Sequence, residues 1–144
     1  MNLFGMLELS GSALGAERQR AEVVASNMAN VQTTRTPQGG PYRRQMVVFQ
    51  AQRVPRFSLA LAGAQRDHSS AVRVAAVVSD QRPPVMRFEP GHPDANSEGY
   101  VAYPQVDPIE EMADLLGAVR AYELNAAAVQ ATKNMIQQSL SLMQ

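Results

Sequence analysis

The chain has 144 residues, no cysteine, and 13 basic against 13 acidic side chains. Zero net charge argues against a generic nucleic-acid or anionic-membrane binder, so neither partner is expected. Without cysteine there can be no disulfide, thiolate metal site or cysteine nucleophile. The length predicts one domain, or one domain with extended arms.

The charges are distributed unevenly along the chain. Residues 1–88 hold eleven arginines against five acids, whereas residues 89–144 hold two basic residues against eight acids. The halves could pair within or between copies, or simply form two solvated faces of unlike charge. No basic residue precedes Arg18, which argues against a cleavable secretory signal, and no apolar run is long enough to predict a transmembrane helix.

Residues 3–31 predict a helix with a seven-residue apolar repeat. The repeat comprises Leu3, Leu7, Ser10, Leu14, Glu17, Ala21, Val24, Met28 and Val31. Gly5, Gly11 and Gly15 lie inside this helix, and each costs about 1 kcal/mol relative to alanine. We therefore expect the helix to need a closely approaching partner. Asn27 and Asn30 are expected to cap it and to hold its last turn.

The middle of the chain predicts loops and short strands. A turn-rich stretch over 33–41 is followed by candidate strands at 42–49, 57–62, 71–79, 85–88 and 99–103. The strongest strand signal is at 71–79, where four small apolar residues alternate onto one predicted face: Val72, Val74, Ala76 and Val78. Such short antiparallel strands bury only a modest core, so this module should depend on its neighbours.

A second, longer helix is predicted from Asp107 to Met143. Asp107 and Pro108 form an N-cap and first-turn pair, and Glu110 and Glu111 place negative charge where the helix dipole favours it. A heptad stripe follows: Met112, Leu115, Val119, Tyr122, Ala126, Val129, Lys133, Ile136, Leu140 and Met143. A 3.5-residue period of this length predicts a coiled-coil seam.

These elements predict an α+β fold. Long N- and C-terminal helices pair as a coiled coil, with a small antiparallel β module inserted between them. The expected division is 1–34 with 104–144 for the helical domain, and 35–103 for the inserted loop and β module. Apolar surface left over on the helices should bind other copies or other chains.

No enzymatic constellation emerges from the sequence. A metal site could be imagined from Glu89, His92, Asp94 and Glu98, but their spacing matches no ligand pattern. The carboxylates at the start of the second helix are explained by capping and the dipole, and no phosphate-loop or nucleophile-elbow pattern occurs. The adjacent arginines Arg43 and Arg44 are expected in solvent on opposite faces. We predict no catalytic residue, metal or cofactor.

Several motifs resemble those of one protein family. They are NMANVQT at 27–33, GGPYRR at 39–44, EPGHPDA at 89–95, EEM at 110–112, RAYELN at 120–125 and TKNM at 132–135. The first is similar to a signature shared by the axial proteins of the flagellar rod and hook. Together they identify the chain as resembling the bacterial flagellar basal-body rod proteins, and within them the proximal-rod branch.

The resemblance implies a structural, non-enzymatic subunit that works in motility. Family members are exported by the flagellar type III system without signal cleavage, and they form the periplasmic rod around the export channel. Expected partners are copies of the chain, other rod proteins and the export gate at the base, with no lipid anchor. The expected assembly-interface residues are Leu3, Leu7, Leu14, Val24, Asn27, Met28, Asn30, Val31, Met112, Leu115, Val119, Tyr122, Val129, Ile136 and Leu140.

Two other functions are compatible with amphipathic terminal helices. An export adaptor or chaperone-like protein could bind a client helix, but the motifs at both termini together disfavour it. A peripheral membrane protein could use the helices as anchors, but few Lys or Arg residues flank the stripes.

Overall fold

The computed structural model describes residues 3–53 and 70–142. Helix α1 spans Leu3–Ala29 and helix α2 spans Pro108–Ser141. Strands β1 (Gln45–Arg53) and β2 (Ser70–Ser79) form one antiparallel pair, and β3 (Val85–Phe88) and β4 (Tyr100–Tyr103) form a second. The predicted α+β class, with terminal helices around an antiparallel β module, is confirmed. The candidate strand at 57–62 lies outside the described residues.

The start of α2 follows the predicted cap. The Asp107 carboxylate accepts a hydrogen bond from the Ile109 backbone N–H at 2.8 Å, and Pro108 occupies the first turn, where no N–H is required. Helix α1 ends at Ala29, and the next turn is closed by Asn30, whose side-chain amide donates to the Ser26 carbonyl at 2.9 Å.

The two helices pack antiparallel through small side chains. Asn27 contacts Glu111 while Arg20 contacts Asp114, so contacts proceed in opposite directions along the two helices. The buried positions in this interface are Gly5, Ala16 and Val24 on α1 and Ala118 and Thr132 on α2. The Thr132 hydroxyl donates to the Ala128 carbonyl one turn back at 2.8 Å, so its burial leaves no unpaired donor.

The predicted seam of α2 is displaced by one residue from the contact with α1. The residues buried against α1 are Glu111, Ala118 and Thr132, each immediately before a member of the predicted stripe. Met112 is 54% exposed and Val119 43% exposed, so this part of the stripe faces away from α1. The interior heptad is built from small and polar residues, which allow close packing but give no hydrophobic signal.

Hairpin β1–β2 packs one face on α1. A bulge between Val48 and Phe49 leaves Ala75 without a partner, because Val48 pairs with Ala76 and Phe49 with Val74. The bulge shifts the alternation, so Val72 and Val74 are half-buried on the α1 side while Ala76 and Val78 are exposed on the other. The prediction that all four share one face was therefore wrong.

Gly99 closes the turn between β3 and β4 in a conformation that requires glycine. Its φ is +81°, and a Cβ there would lie 2.9 Å from the Phe88 ring and 3.2 Å from Pro90 Cβ. We expect Gly99→Ala to lower the free energy of unfolding by about 2 kcal/mol, measured by urea denaturation. Gly91→Ala in the same turn is the control, because a Cβ at Gly91 meets none of the described atoms within 4 Å. Equal effects of the two substitutions would contradict this assignment.

Candidate subunit interface

A polar junction fixes the helix pair to the β module at the C-terminal end of α1. Asn27 is 1% exposed and uses its whole hydrogen-bonding capacity. Its amide donates to the Gln45 carbonyl at 2.8 Å and to the Glu111 carboxylate at 2.9 Å. Its oxygen accepts from the Gln45 N–H and from the Tyr42 hydroxyl, both at 2.9 Å. One side chain therefore joins α1, β1 and α2.

Glu111 is the charged centre of this junction. Its side chain is fully buried and forms an ion pair with the Arg44 guanidinium, which is 15% exposed. Arg44 also reaches Asp114 at 3.4 Å, and Arg20 from α1 reaches the same carboxylate at 3.2 Å. Two arginines from the N-terminal half and two acids from α2 thus neutralise each other where the elements meet.

The charge environment of Arg44 is reflected in its pKa. Burial is the largest single influence and acts to lower the pKa of the guanidinium, whereas the hydrogen bond and charge of Glu111 act to raise that pKa. The carboxylates of Asp114 and Glu110 add to it, and the net result is a pKa raised above the ordinary arginine value. Arg44 is therefore a permanent cation in the junction.

The junction changes two assignments made from the sequence. Asn30 closes the last turn of α1, as expected, through its bond to the Ser26 carbonyl, and it also accepts from the Thr33 hydroxyl at 3.1 Å. Asn27 does not cap, because its hydrogen bonds go to β1, Tyr42 and α2. Arg44 does not lie in solvent, although Arg43 does, where it donates to the neutral amide of Gln81 at 3.0 Å.

The uneven charge distribution was the one sequence signal for this junction. Arg20–Asp114 and Arg44–Glu111 each join a base from the first part of the chain to an acid from the last. Arg35 and Asp94, 3.8 Å apart at the edge of the β module, do the same. Opposite charges of the two halves therefore pair within the chain at these positions.

The predicted interface residues fall into three groups by exposure. Two lie inside the subunit: Val24 and Asn27. Nine are half-buried: Leu3, Leu7, Leu14, Met28, Asn30, Val31, Leu115, Val129 and Ile136. Four are exposed, by 43–59%: Met112, Val119, Tyr122 and Leu140. Only the last two groups offer surface to another chain.

The α2 stripe changes its direction around the helix from one end to the other. Leu115, Val129 and Ile136 are half-buried, and the exposed large members are Met112, Val119, Tyr122 and Leu140. A 3.5-residue repeat drifts by about 20° per heptad around a straight helix of 3.6 residues per turn. The stripe therefore begins on the outer side of α2 and moves toward α1 along the helix.

The outer face of α1 contains small residues that the subunit does not use. Gly11 and Gly15 lie one turn apart on this exposed face, and within the described ranges a Cβ at either position meets no atom within 4 Å. Ala25 and Ala29 continue the face, with Phe4, 70% exposed, at its beginning. The glycines weaken the helix without relieving a clash inside this chain.

The acids and histidine of the 89–98 turn have structural partners. Glu89 accepts from the Tyr103 hydroxyl at 2.9 Å, and Asp94 accepts from the Thr34 hydroxyl at 2.8 Å. His92 Nδ1 accepts from the Asp94 backbone N–H at 3.1 Å. In the described ranges no three metal-ligating side chains converge, and neither α1 nor α2 is long and apolar enough to cross a membrane.

Two family models match the helical ends of the chain. Residues 7–35 match the model described as flagella basal body rod protein. Residues 97–142 match the model described as flagellar basal body rod FlgEFG protein C-terminal. These matches cover most of α1 with the following loop, and β4 with α2.

Relatives that match this chain over nearly their whole length show which family it belongs to. The chain is 41% identical to the flagellar basal-body rod protein FlgC of Bacillus subtilis, with 99% of each chain covered. It belongs to the FlgC family. The FlgC of Borreliella burgdorferi is 39% identical over 100% of this chain and 99% of its own. That of Escherichia coli O6:H1 is 38% identical, with 99% of this chain and 98% of the relative covered. The FlgC family resemblance seen in the motifs is thus confirmed.

Proposed function

We propose that this chain is a structural subunit of the proximal flagellar rod that polymerises through its terminal helices. Membership of the FlgC family supports the rod assignment and disfavours the export-adaptor alternative. The observation that carries the mode of assembly is the exposed apolar flank of α2, where Met112, Leu116 and Val119 are 54%, 54% and 43% exposed. Large apolar side chains in this arrangement are typical of a surface that another chain covers.

We propose an export route and a cellular location for the chain as well. The chain is exported from the cytoplasm by the flagellar type III system without signal cleavage, and it assembles in the periplasm with its own copies and other rod proteins. Its role is to form the drive shaft around the export channel, without catalysis. The division into 1–34 with 104–144 and 35–103 stays a prediction, supported by the polar junction that joins the two parts.

Charge placed on the exposed flank tests assembly. We expect Val119→Asp and Tyr122→Asp to abolish motility and recovery of the chain in purified basal bodies. Both side chains are 43% exposed, so each substitution should change the free energy of unfolding by only about 0.5 kcal/mol. Gly117→Asp is the control, because Gly117 is exposed about 160° around α2 from Val119 and a Cβ there meets no described atom within 4 Å. Normal motility of both stripe variants would show that the flank is solvent-exposed in the working state.

Hydrogen exchange tests whether folding is coupled to assembly. Helix α2 has 34 residues against 27 in α1, and every side chain from Gln137 to Leu142 is exposed. We expect amides near the polar junction to be protected in the purified chain, and those at the free end of the helix pair to be protected only in basal bodies. Full protection of both helices in a dilute monomer would contradict coupled assembly.

A further inference from the structure

A small cavity lies between residues 39–44, which precede β1, and residues 80–84, which follow β2. Its two sides are held together by a backbone bond, in which the Asp80 N–H donates to the Arg44 carbonyl at 2.7 Å. The cavity has a volume of about 110 Å³. One water molecule occupies roughly 30 Å³ in the liquid, so the space admits a group of several non-hydrogen atoms.

Two guanidinium groups in the cavity wall, those of Arg43 and Arg82, have unused donors. A guanidinium presents a planar fork of N–H groups. Arg43 donates from one Nη to the side-chain oxygen of Gln81 at 3.0 Å. Arg82 donates from Nε to the Asp80 carboxylate at 2.6 Å. Both arginines are exposed, and the rest of each fork has no acceptor among the described residues, so these donors are available to a bound group.

The charges of the cavity wall do not cancel. Arg44 is paired with Glu111, and its guanidinium is therefore matched. Arg82 is paired with Asp80, the carboxylate of this wall. Hydrogen bonds from the Arg82 backbone N–H and guanidinium lower the pKa of Asp80 below its ordinary value, so Asp80 stays ionised. Arg43 forms no ion pair with any described residue, and it leaves the wall with an excess positive charge.

Free guanidinium donors and excess positive charge together favour an oxyanion. The planar fork of arginine matches two oxygens of a carboxylate or phosphate, which it binds through parallel hydrogen bonds. A cation would be repelled by the excess charge, and an apolar group would leave the donors without acceptors. The cavity volume favours a small group of this class over a bulky one.

We propose that Arg43 and Arg82 form an oxyanion site, which takes a carboxylate or phosphate group at this cavity. The bound group accepts from both guanidinium groups and joins the loop before β1 to the segment after β2. Gln81 and Asp80 hold the two arginines through the bonds described above. The site does not depend on the proposed rod function. Its ligand is either a free anion or the acidic side chain of another protein, which supply the same chemistry.

Titration of the purified full-length chain with sodium phosphate and, separately, sodium acetate tests the site. Backbone amide NMR spectra near neutral pH report binding, and sodium chloride keeps the ionic strength constant. We expect saturable shifts of the amides of Gly40, Arg43 and Arg82 with at least one of the two anions. Absence of a saturable shift at these amides with both anions would overturn the site.

Arg43→Gln is expected to weaken anion binding by about tenfold, because it removes the unmatched charge and a charge-assisted hydrogen bond. Arg43→Lys keeps the charge without the fork and should weaken binding less. Arg73→Gln is the matched control. Arg73 is also exposed and also donates to a neutral amide, that of Gln50 at 2.8 Å, but it does not line this cavity. Equal weakening by Arg43→Gln and Arg73→Gln would refute a specific site and leave only a general response to positive charge.

Recovery of the variants in purified basal bodies identifies the source of the oxyanion. If an acidic side chain of another basal-body protein supplies it, Arg43→Gln should lower recovery of the chain relative to Arg73→Gln. If a free anion supplies it, the two variants should be recovered equally, while Arg43→Gln alone loses anion binding in the titration.

Discussion

Glu111→Ala is expected to lower the free energy of unfolding by about 3 kcal/mol, which is the largest single-residue effect on stability that we expect. The substitution leaves the 15% exposed Arg44 guanidinium without its buried partner and removes an acceptor from Asn27. Breaking a buried ion pair from one side costs about 3–5 kcal/mol, and Asp114, 3.4 Å from Arg44, reduces the loss. The measurement is thermal unfolding by circular dichroism, with a decrease in Tm on the order of 10 °C.

Two further variants separate the loss of the Glu111–Arg44 ion pair from a general effect of substitutions in α2. Glu110→Ala changes the neighbouring exposed acid, so it should alter stability by only about 0.5 kcal/mol. Combining Glu111→Leu with Arg44→Met replaces both charges by apolar groups and should recover part of the loss. An unchanged Tm for Glu111→Ala would show that the junction contributes little to the fold.

Gly11→Leu combined with Gly15→Leu is expected to abolish assembly while making the free subunit more stable. A Cβ at either position meets no atom of the described residues within 4 Å, and leucine favours a helix over glycine by about 0.8 kcal/mol per site. The glycines therefore reduce the stability of the isolated helix without a compensating contact inside it. We infer that they let a neighbouring helix approach the backbone of α1, as small residues do where helices pack closely.

The readouts for the glycine variants are motility, recovery in basal bodies and Tm of the purified chain. The corresponding alanine pair adds one methyl group per site and should raise Tm by a similar amount while reducing assembly less. Wild-type motility with both leucines present would place the outer face of α1 in solvent and leave the glycines without a role in assembly.

Elements with a local sequence signature could be predicted closely. The Asp107–Pro108 cap gives the start of α2, and the alternation at 71–79 gives β2, which the structure extends by one residue to Ser70. The bulge at Ala75 could not be predicted, because it depends on the pairing of β2 with β1. The family motifs predicted the function, a structural subunit of the flagellar rod, because they extend along nearly the whole chain.

The contacts between elements were predicted less well than the elements themselves. The α1–α2 interface is lined by Ala16, Ala118 and Thr132, whereas hydrophobic periodicity selects the larger residues beside them. The junction joins Asn27 to Glu111, 84 residues later, and nothing in the local sequence of either residue indicates that pairing. The charge imbalance between the two halves indicated that such pairs exist, but not which residues form them.

The residues of the polar junction are far apart in the sequence, and this separation affects the order in which the chain can fold. Asn27 binds Gln45 and Tyr42, which follow it closely, but its contact with Glu111 closes a loop of 84 residues. Closing a long loop is entropically costly, and contacts of high sequence separation form slowly. A chain delivered N-terminus first therefore cannot lock α1 against α2 until Glu111 has emerged. Until then the N-terminal segment lacks its long-range partner.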